Sequence, residues 1–428
     1  MELMTGLALI ATFLVVVGLI VRGQSPIIML LILAIAWAVI AGVPPRQIQV
    51  AVLQGGGVKF ASAVIIILFG AWFAQTIIQT GIAESIVRSA AELAGDRPVV
   101  TAIVINTVIA LLFTSLYGVG AAIALGVIAL PILQSQGIPA RVATPIYTMA
   151  IGAGNFVNLV QFNILSSFFP GVKYQAPYLT FWAICMVIYM LVTWLMIGTY
   201  VARNGVRQMA SIDIAVPNPV VRKRAPYYTY IAPIFPVFLV VVFHWEIIPT
   251  FLLSIVLTLA LTWKDRTFQG HINLFNKTFY DAVPDIANIA ALMTICGMII
   301  ACGMTPQVAG ALKPIFNPIL PHTTLGAAIF FGLLGGVGSI YRGPLVIFGT
   351  GAALVAIFLG NRDLPIAYLY SLWATGSMMQ GSIDPTNSWT LWAISHTKVS
   401  HGEFLRVSFP FGCLMIAVTC ATAYLMLG

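Results

Sequence analysis

Apolar runs of about 18 residues or more recur from one end of this chain to the other, each long enough to cross a bilayer as a helix. In lipid a backbone has no water to bond with, so its peptide groups must be satisfied internally. Composition agrees with that environment. Of 428 residues, 60% are hydrophobic and 7% charged, against about a quarter charged in a soluble domain, and mean hydropathy is +1.01. The run at 3–21 lacks a basic start and an Ala-x-Ala-like cleavage site, and another apolar run follows at once. It reads as a retained membrane helix rather than a leader.

The net charge of +8 does not point to nucleic acid, because the basic residues are scattered through short connections between apolar runs. That is where they fix orientation in a membrane. Five cysteines lie inside apolar runs without metal-ligand spacing, as small packing residues do. No GxxxxGK[ST], HExxH or CxxC motif occurs, and no cluster of His, Asp or Glu gathers at one leaflet. The expectation is no cofactor, no bound metal and no enzyme chemistry.

Periodicity and breakers predict helices at 4–21, 25–43 and 60–80. "GIAESIVRSAAELAG" (81–95) follows, with Glu84, Arg88 and Glu92 four apart on one face, so 82–94 should lie along the interface. The run 98–134 is broken by "TSLYGVG", and 139–169 by "IGAGNFVN". The first could be one overlong helix or two half-helices meeting at a tip, and Gly118 and Gly120 favour the re-entrant hairpin. A helix at 176–200 closes the first half.

After the polar segment 201–227, helices are expected at 228–244, 247–263 and 280–303. A broken stretch at 323–359 contains "GSIYRGP", a second at 365–395 contains "GSMMQGSIDPTNSW", and a last helix spans 405–427.

The halves 1–200 and 228–428 align at offsets of 222 to 226 residues: Gly81 with Gly303, Ser115 and Tyr117 with Ser339 and Tyr341, Pro139 with Pro365. The expected fold is therefore all-α and polytopic, with two repeats of about ten spanning helices in all plus two hairpins. Counting crossings from a cytoplasmic 201–227 linker makes the repeats inverted and both termini extracytoplasmic. That orientation puts fourteen basic residues inside, among them Arg203, Arg207, Arg222, Lys223 and Arg224 of the linker. Five fall outside (Arg46, Lys59, Lys173, Lys313, Arg362), the sense of the positive-inside rule.

Backbone that leaves helical geometry at membrane depth must be buried in protein or line a watery cavity. Paired breaks in inverted repeats mark a binding site near the midplane, where half-helix N-termini face anions and freed carbonyls can face cations. The candidate substrate-binding residues are Ser115, Tyr117, Gly118, Asn155, Asn158, Ser339, Tyr341, Arg342, Gly343, Thr386, Asn387 and Ser388. Asp384 and Asp285 are the candidates for ion coupling. Arg342 stands out, because an arginine in mid-helix costs about 2.5–3.5 kcal/mol on insertion scales and needs a partner inside the protein. It either pairs with Asp384 to stabilise the fold or clamps a carboxylate, and the two roles are compatible if substrate competes with the aspartate.

This order of helices, hairpin and broken helix, with residue-level support at 114–120, 151–158, 338–344 and 381–388, resembles the ion transporter superfamily. That group includes gluconate permeases, citrate–metal symporters, dicarboxylate carriers and divalent-anion/sodium symporters. It looks closest to the gluconate and citrate permease branches. The tips Ser115-Leu116-Tyr117 and Ser339-Ile340-Tyr341 depart from the Ser-Asn-Thr of the divalent-anion symporters.

The resemblance implies a plasma (inner) membrane homodimer in which hairpins and broken helices move against a scaffold. The functional expectation is secondary active symport of a small organic anion, a carboxylate or sugar acid, coupled to H⁺ or Na⁺. The alternative on the same fold is an ion antiporter or oxyanion efflux carrier.

Overall fold

The computed structural model describes residues 2–202, 224–347, 351–360 and 364–428. Arg203, Arg207, Arg222, Lys223 and Arg362, and most of the expected linker, lie outside the described residues. No strand occurs among those described. Among the described residues, six helices are long and apolar enough to cross a membrane, and four shorter apolar ones accompany them. The chain is an all-helical, membrane-embedded protein.

In chain order the helices begin with α1 (Glu2–Val21), α2 (Pro26–Ile40) and α3 (Ala61–Gln79), the last preceded by a partly π-helical stretch from Pro45 to Val58. Next come α4 (Ile82–Ala94), α5 (Pro98–Leu112), α6 (Val119–Ser135), α7 (Ala140–Asn155), α8 (Leu159–Ser166) and α9 (Tyr178–Ile197). Then follow α10 (Phe235–Phe243), α11 (Ile247–Leu261), α12 (Phe268–Gly303) and α13 (Pro306–Phe316). The last five are α14 (Thr324–Ser339), α15 (Gly351–Gly360), α16 (Ile366–Ile383), α17 (Ser388–Thr397) and α18 (His401–Leu427).

Several spans differ from expectation: 45–58 is helical where no helix is expected, and the helix expected from 228 begins at Phe235 after a 3-10 turn at Tyr227–Ile231. α12 starts at Phe268 rather than 280, because His271, Leu274, Thr278 and Ala282 bury one face of a polar-looking extension. α13 was not foreseen. Two prolines and Lys313 hide its short apolar face of Val308, Ala311 and Leu312.

The centre of the molecule is α7 against α16. From Val142 to Asn155 and from Tyr368 to Ile383, every residue is buried. Small residues allow this density. A Cβ on Gly154 would stand 2.2 Å from the Ala110 carbonyl of α5, and one on Gly152 would stand 2.6 Å from Ser382 of α16. Asn106 of α5 donates to the Ile146 carbonyl at 3.0 Å, and Tyr189 of α9 shares a hydrogen bond with Ser382. Around this core, α9 and α18 pack on the broken helices, while α12 lies against α2 and α3.

α5 has 15 residues, so at 1.5 Å each it reaches about 22 Å, short of the roughly 30 Å hydrocarbon layer. It turns back at 113–118 into α6, whose N-cap Gly118 has φ +112.

Candidate functional site

Both central helices stop in mid-protein, and each restarts from an asparagine. Asn158 (φ −69, ψ 127) accepts from the N–H groups of Val160 and Gln161 and so caps α8. Asn387 (φ −70, ψ 138) accepts from Trp389 N–H at 3.2 Å and caps α17. The first cap also pins a hairpin, since Asn158 Nδ2 donates to the carbonyls of Phe113 (2.8 Å) and Leu116 (2.9 Å). Asn158→Ala is expected to cost about 3–5 kcal/mol, the cap plus two stranded buried carbonyls. Thermal or denaturant unfolding in detergent measures the loss.

The second break is organised by Asp384, which is fully buried. Its carboxylate accepts from Thr386 N–H and Oγ1, each at 2.8 Å, and from the backbone N–H of Arg342 at 3.0 Å. Gln380 reaches it at 3.4 Å. Asp384 thus fastens the second hairpin tip to the break. That tip is strained: Tyr341 (φ 53) and Arg342 (φ 52) are successive left-handed residues with side chains. Further holds on the turn are Leu345 N–H donating to the Gly338 carbonyl at 2.9 Å and a Gly343 whose Cβ would stand 2.5 Å from that same oxygen. Strain of this kind, about 1–3 kcal/mol per residue, persists where surrounding structure enforces it and tends to collect at functional sites.

Both tips and both breaks border one cavity of about 60 Å³. The first tip brings Tyr117, Gly118 and Val119, and the α7 break brings Asn155 and Gln161. From the second half come Arg342, Ser377, Gln380, Asn387, Ser388 and Trp389. α12 closes the cavity with Asp285, Asn288, Ile289 and Leu292. There is room for about four to six waters at about 10–15 Å³ each. A second cavity of about 390 Å³ adjoins it, sharing Asn288, Leu292, Arg342 and Ser388 and extending to Gly23, Gln24 and Ser25 of the α1–α2 turn.

Of the residues singled out in the sequence, Tyr117, Gly118, Asn155, Asp285, Arg342, Asn387 and Ser388 line the small cavity, and Thr386 lines the larger one. Asn158 and Asp384 serve as cap and tip fastener, and Gly343 as a close-packed turn residue. Tyr341 is the strained neighbour of Arg342. Ser115 and Ser339 are buried behind the tips, and their hydroxyls, like Asn155 Oδ1, have no hydrogen-bond partner among the described residues. Gln161, Asn288, Ser377 and Gln380 were missed. Asn288 was discoverable, because it lies three residues after Asp285 on the same helical face.

The charges are distributed unevenly. Arg342 enters from the second tip, its Nη2 donating to the Thr386 carbonyl at 3.4 Å, with Asp384 beneath its backbone. Asp285 faces the first tip. Its Oδ2 accepts from Gln75 Nε2 at 2.6 Å and its Oδ1 from Gly120 N–H at 3.1 Å, in the first turn of α6. The N-termini of α6, α8 and α17 all border the cavity, each with its partial positive charge. Such a site can hold an anion, and it already holds one carboxylate, that of Asp285, with Asp384 buried behind the second tip. No protein-family model matches this chain, and no curated protein matches it.

Proposed function

We propose that the protein is a secondary active transporter of a small organic anion, a carboxylate or sugar acid, coupled to a cation, H⁺ or Na⁺. The observation that carries this reading is the meeting of Arg342 and Asp285 at one cavity bounded by both tips and both breaks. Formal charge at and just behind the cavity is one guanidinium against the carboxylates of Asp285, which lines it, and Asp384, which does not, and Asp285 already occupies the α6 N-terminus. An incoming anion therefore meets a carboxylate in its way. A cation that neutralises Asp285 frees the Gly120 N–H and that helix end for the substrate, so cation and anion bind together more readily than either does alone.

The architecture that suits this function is the inverted repeat of the ion transporter superfamily. α5/α6 and α14/α15 are the hairpins, α7/α8 and α16/α17 the broken helices, and the remaining helices form the scaffold of a homodimer in the plasma membrane. With the positive-inside orientation, the larger cavity opens at the cytoplasmic α1–α2 turn. Hairpins and breaks would then move across the membrane as a body. The excess of negative charge also favours a second reading, antiport of cations without an anion.

Proteoliposome uptake of lactate, gluconate and citrate, with H⁺ and Na⁺ gradients imposed separately, decides between them. Saturable, gradient-driven anion uptake is expected. Cation flux without anion uptake would establish the second reading, and a conductive current without saturation would remove both.

A further inference from the structure

Behind Asp285 the cavity wall continues as a polar seam between α3 and α12. Asp285 and Asp281 stand one turn apart on α12, and Gln75 and Gln79 one turn apart on α3. Gln75 donates to Asp285 at 2.6 Å, Gln79 donates to Asp281 at 2.5 Å, and Gln79 Nε2 reaches Gln75 Oε1 at 3.3 Å. Lys277, a further turn along, donates to Asp281 Oδ2 at 2.7 Å and to Gln79 Oε1 at 3.0 Å. The Lys277 and Asp281 side chains are 64% and 40% exposed. Hydrogen-bonding groups thus run without interruption from the surface to the cavity between the two helices.

Helix adhesion does not account for the seam. α3 and α12 are already locked by Trp72, whose Nε1 donates to Thr278 at 3.0 Å and whose ring packs edge-on against Phe275 and Phe279. The Asp285 carboxylate adds desolvation cost to a contact that does not need it. Carboxamides between them have a specific virtue: the N–H₂ serves a carboxylate and the C=O serves a carboxylic acid, so either charge state of Asp285 finds a partner.

We infer that this seam is the route by which a coupling proton passes between the cavity and the surface, with Asp281 as its outer station. The protonated Asp285 carboxyl gives its proton to the Asp281 carboxylate through one bridging water, the Cβ atoms of residues on adjacent turns lying roughly 5–6 Å apart. Asp285 becomes the carboxylate and Asp281 the acid. Asp281 then releases the proton to bulk water and restores its ion pair with Lys277. Loading from this face is the reverse.

The charged groups facing the pair are Lys277 on α12 itself, Arg342 on the cavity, and Arg266, whose guanidinium donates to the Gln79 carbonyl at 3.3 Å. α3 and α6 present Gln75, Gln79 and the Gly120 N–H, Tyr117 faces the cavity from the first tip, and α2 carries no titratable side chain. Substrate, by contrast, has the wider passage beside Arg342, so proton and anion would leave the site by different paths.

The inference draws its purpose from the coupled-carrier reading, but its test does not need a substrate. Time-resolved infrared spectroscopy of the protein in lipid vesicles follows the Asp285 carboxyl band, assigned by its loss in Asp285→Asn, after a pH jump. Asp281→Asn is expected to slow protonation of Asp285 by about 10-fold or more, and Gln79→Leu should slow it too, each with an unchanged melting temperature. An unchanged rate in both variants overturns the route, as does the lack of any Asp285 band between about pH 4 and 9. If the rates respond but wild-type vesicles take up no organic anion, the seam stands and the anion-carrier reading falls.

Discussion

Arg342→Ala removes saturable anion uptake, lowering kcat/KM by about 30- to 4,000-fold. The range follows from the roughly 2–5 kcal/mol lost when one partner of a buried, hydrogen-bonded charge pair is truncated, at about 1.4 kcal/mol per decade. Arg342→Lys recovers little, since an ammonium keeps the charge and lacks the planar fork that matches a carboxylate. Arg342→Gly is the telling companion. The arginine sits at φ 52, a conformation that costs an L-residue about 1–2 kcal/mol and glycine nothing. The glycine variant should therefore unfold later than the alanine variant while transporting no better. Uptake assays and thermal unfolding of the same preparations make the comparison. Wild-type transport by Arg342→Ala would remove the clamp from the mechanism.

Asp285→Asn separates accumulation from translocation. If a cation on Asp285 is what admits the anion, the asparagine imitates the neutralised state permanently. Wild-type affinity for the anion should change by up to about tenfold per pH unit where one proton is taken up with it, or by as much per decade of Na⁺ if that is the coupling ion. In the variant the dependence flattens, and a gradient no longer drives uptake beyond equality across the membrane. Gly120→Ala should produce part of the same phenotype from the other side of the contact. Its methyl would stand 2.4 and 2.6 Å from the Asp285 oxygens, so the carboxylate must leave Gln75. Calorimetric binding at several pH values, together with accumulation ratios in vesicles, reads both variants. An asparagine variant that still concentrates its substrate would exclude Asp285 from coupling.

Elements marked by a clear physical signal were legible in the sequence. Three charges four apart gave a helix at 82–94, and α4 runs from Ile82 to Ala94. Gly118 and Gly120 marked the turn between α5 and α6, and the positive φ of Gly118 supplies the reason. Mixed signals were harder. The first turns of α12 combine His271, Lys277 and Asp281 with aromatic residues, and their buried face emerges when α3 lies against it.

The site divided in the same way. Breaks located the tips, but sequence could not distinguish a residue that touches the cavity from one that builds it. Asn387 and Asn158 look alike in the chain and cap alike in the fold, and Asn387 alone of the two lines the cavity. Amides such as Gln161 and Gln380 escaped notice because a polar residue among the small and apolar ones of a buried helix resembles a packing contact until its neighbours are known. The arginine was visible from the start. What the sequence could not show was that the aspartate also holds the arginine's backbone N–H.

The disparity between a 60 Å³ cavity and the 390 Å³ space beside it also bears on how the protein could be inhibited. The larger space is walled by Ile20, Ile27, Leu292 and Leu391 and reaches Arg342. A compound with a carboxylate at one end and a bulky apolar body would anchor on the guanidinium while its body stayed outside. It would plug the passage and never be carried. Such a blocker would act from one face of the membrane, and its sidedness would report which face the α1–α2 turn occupies.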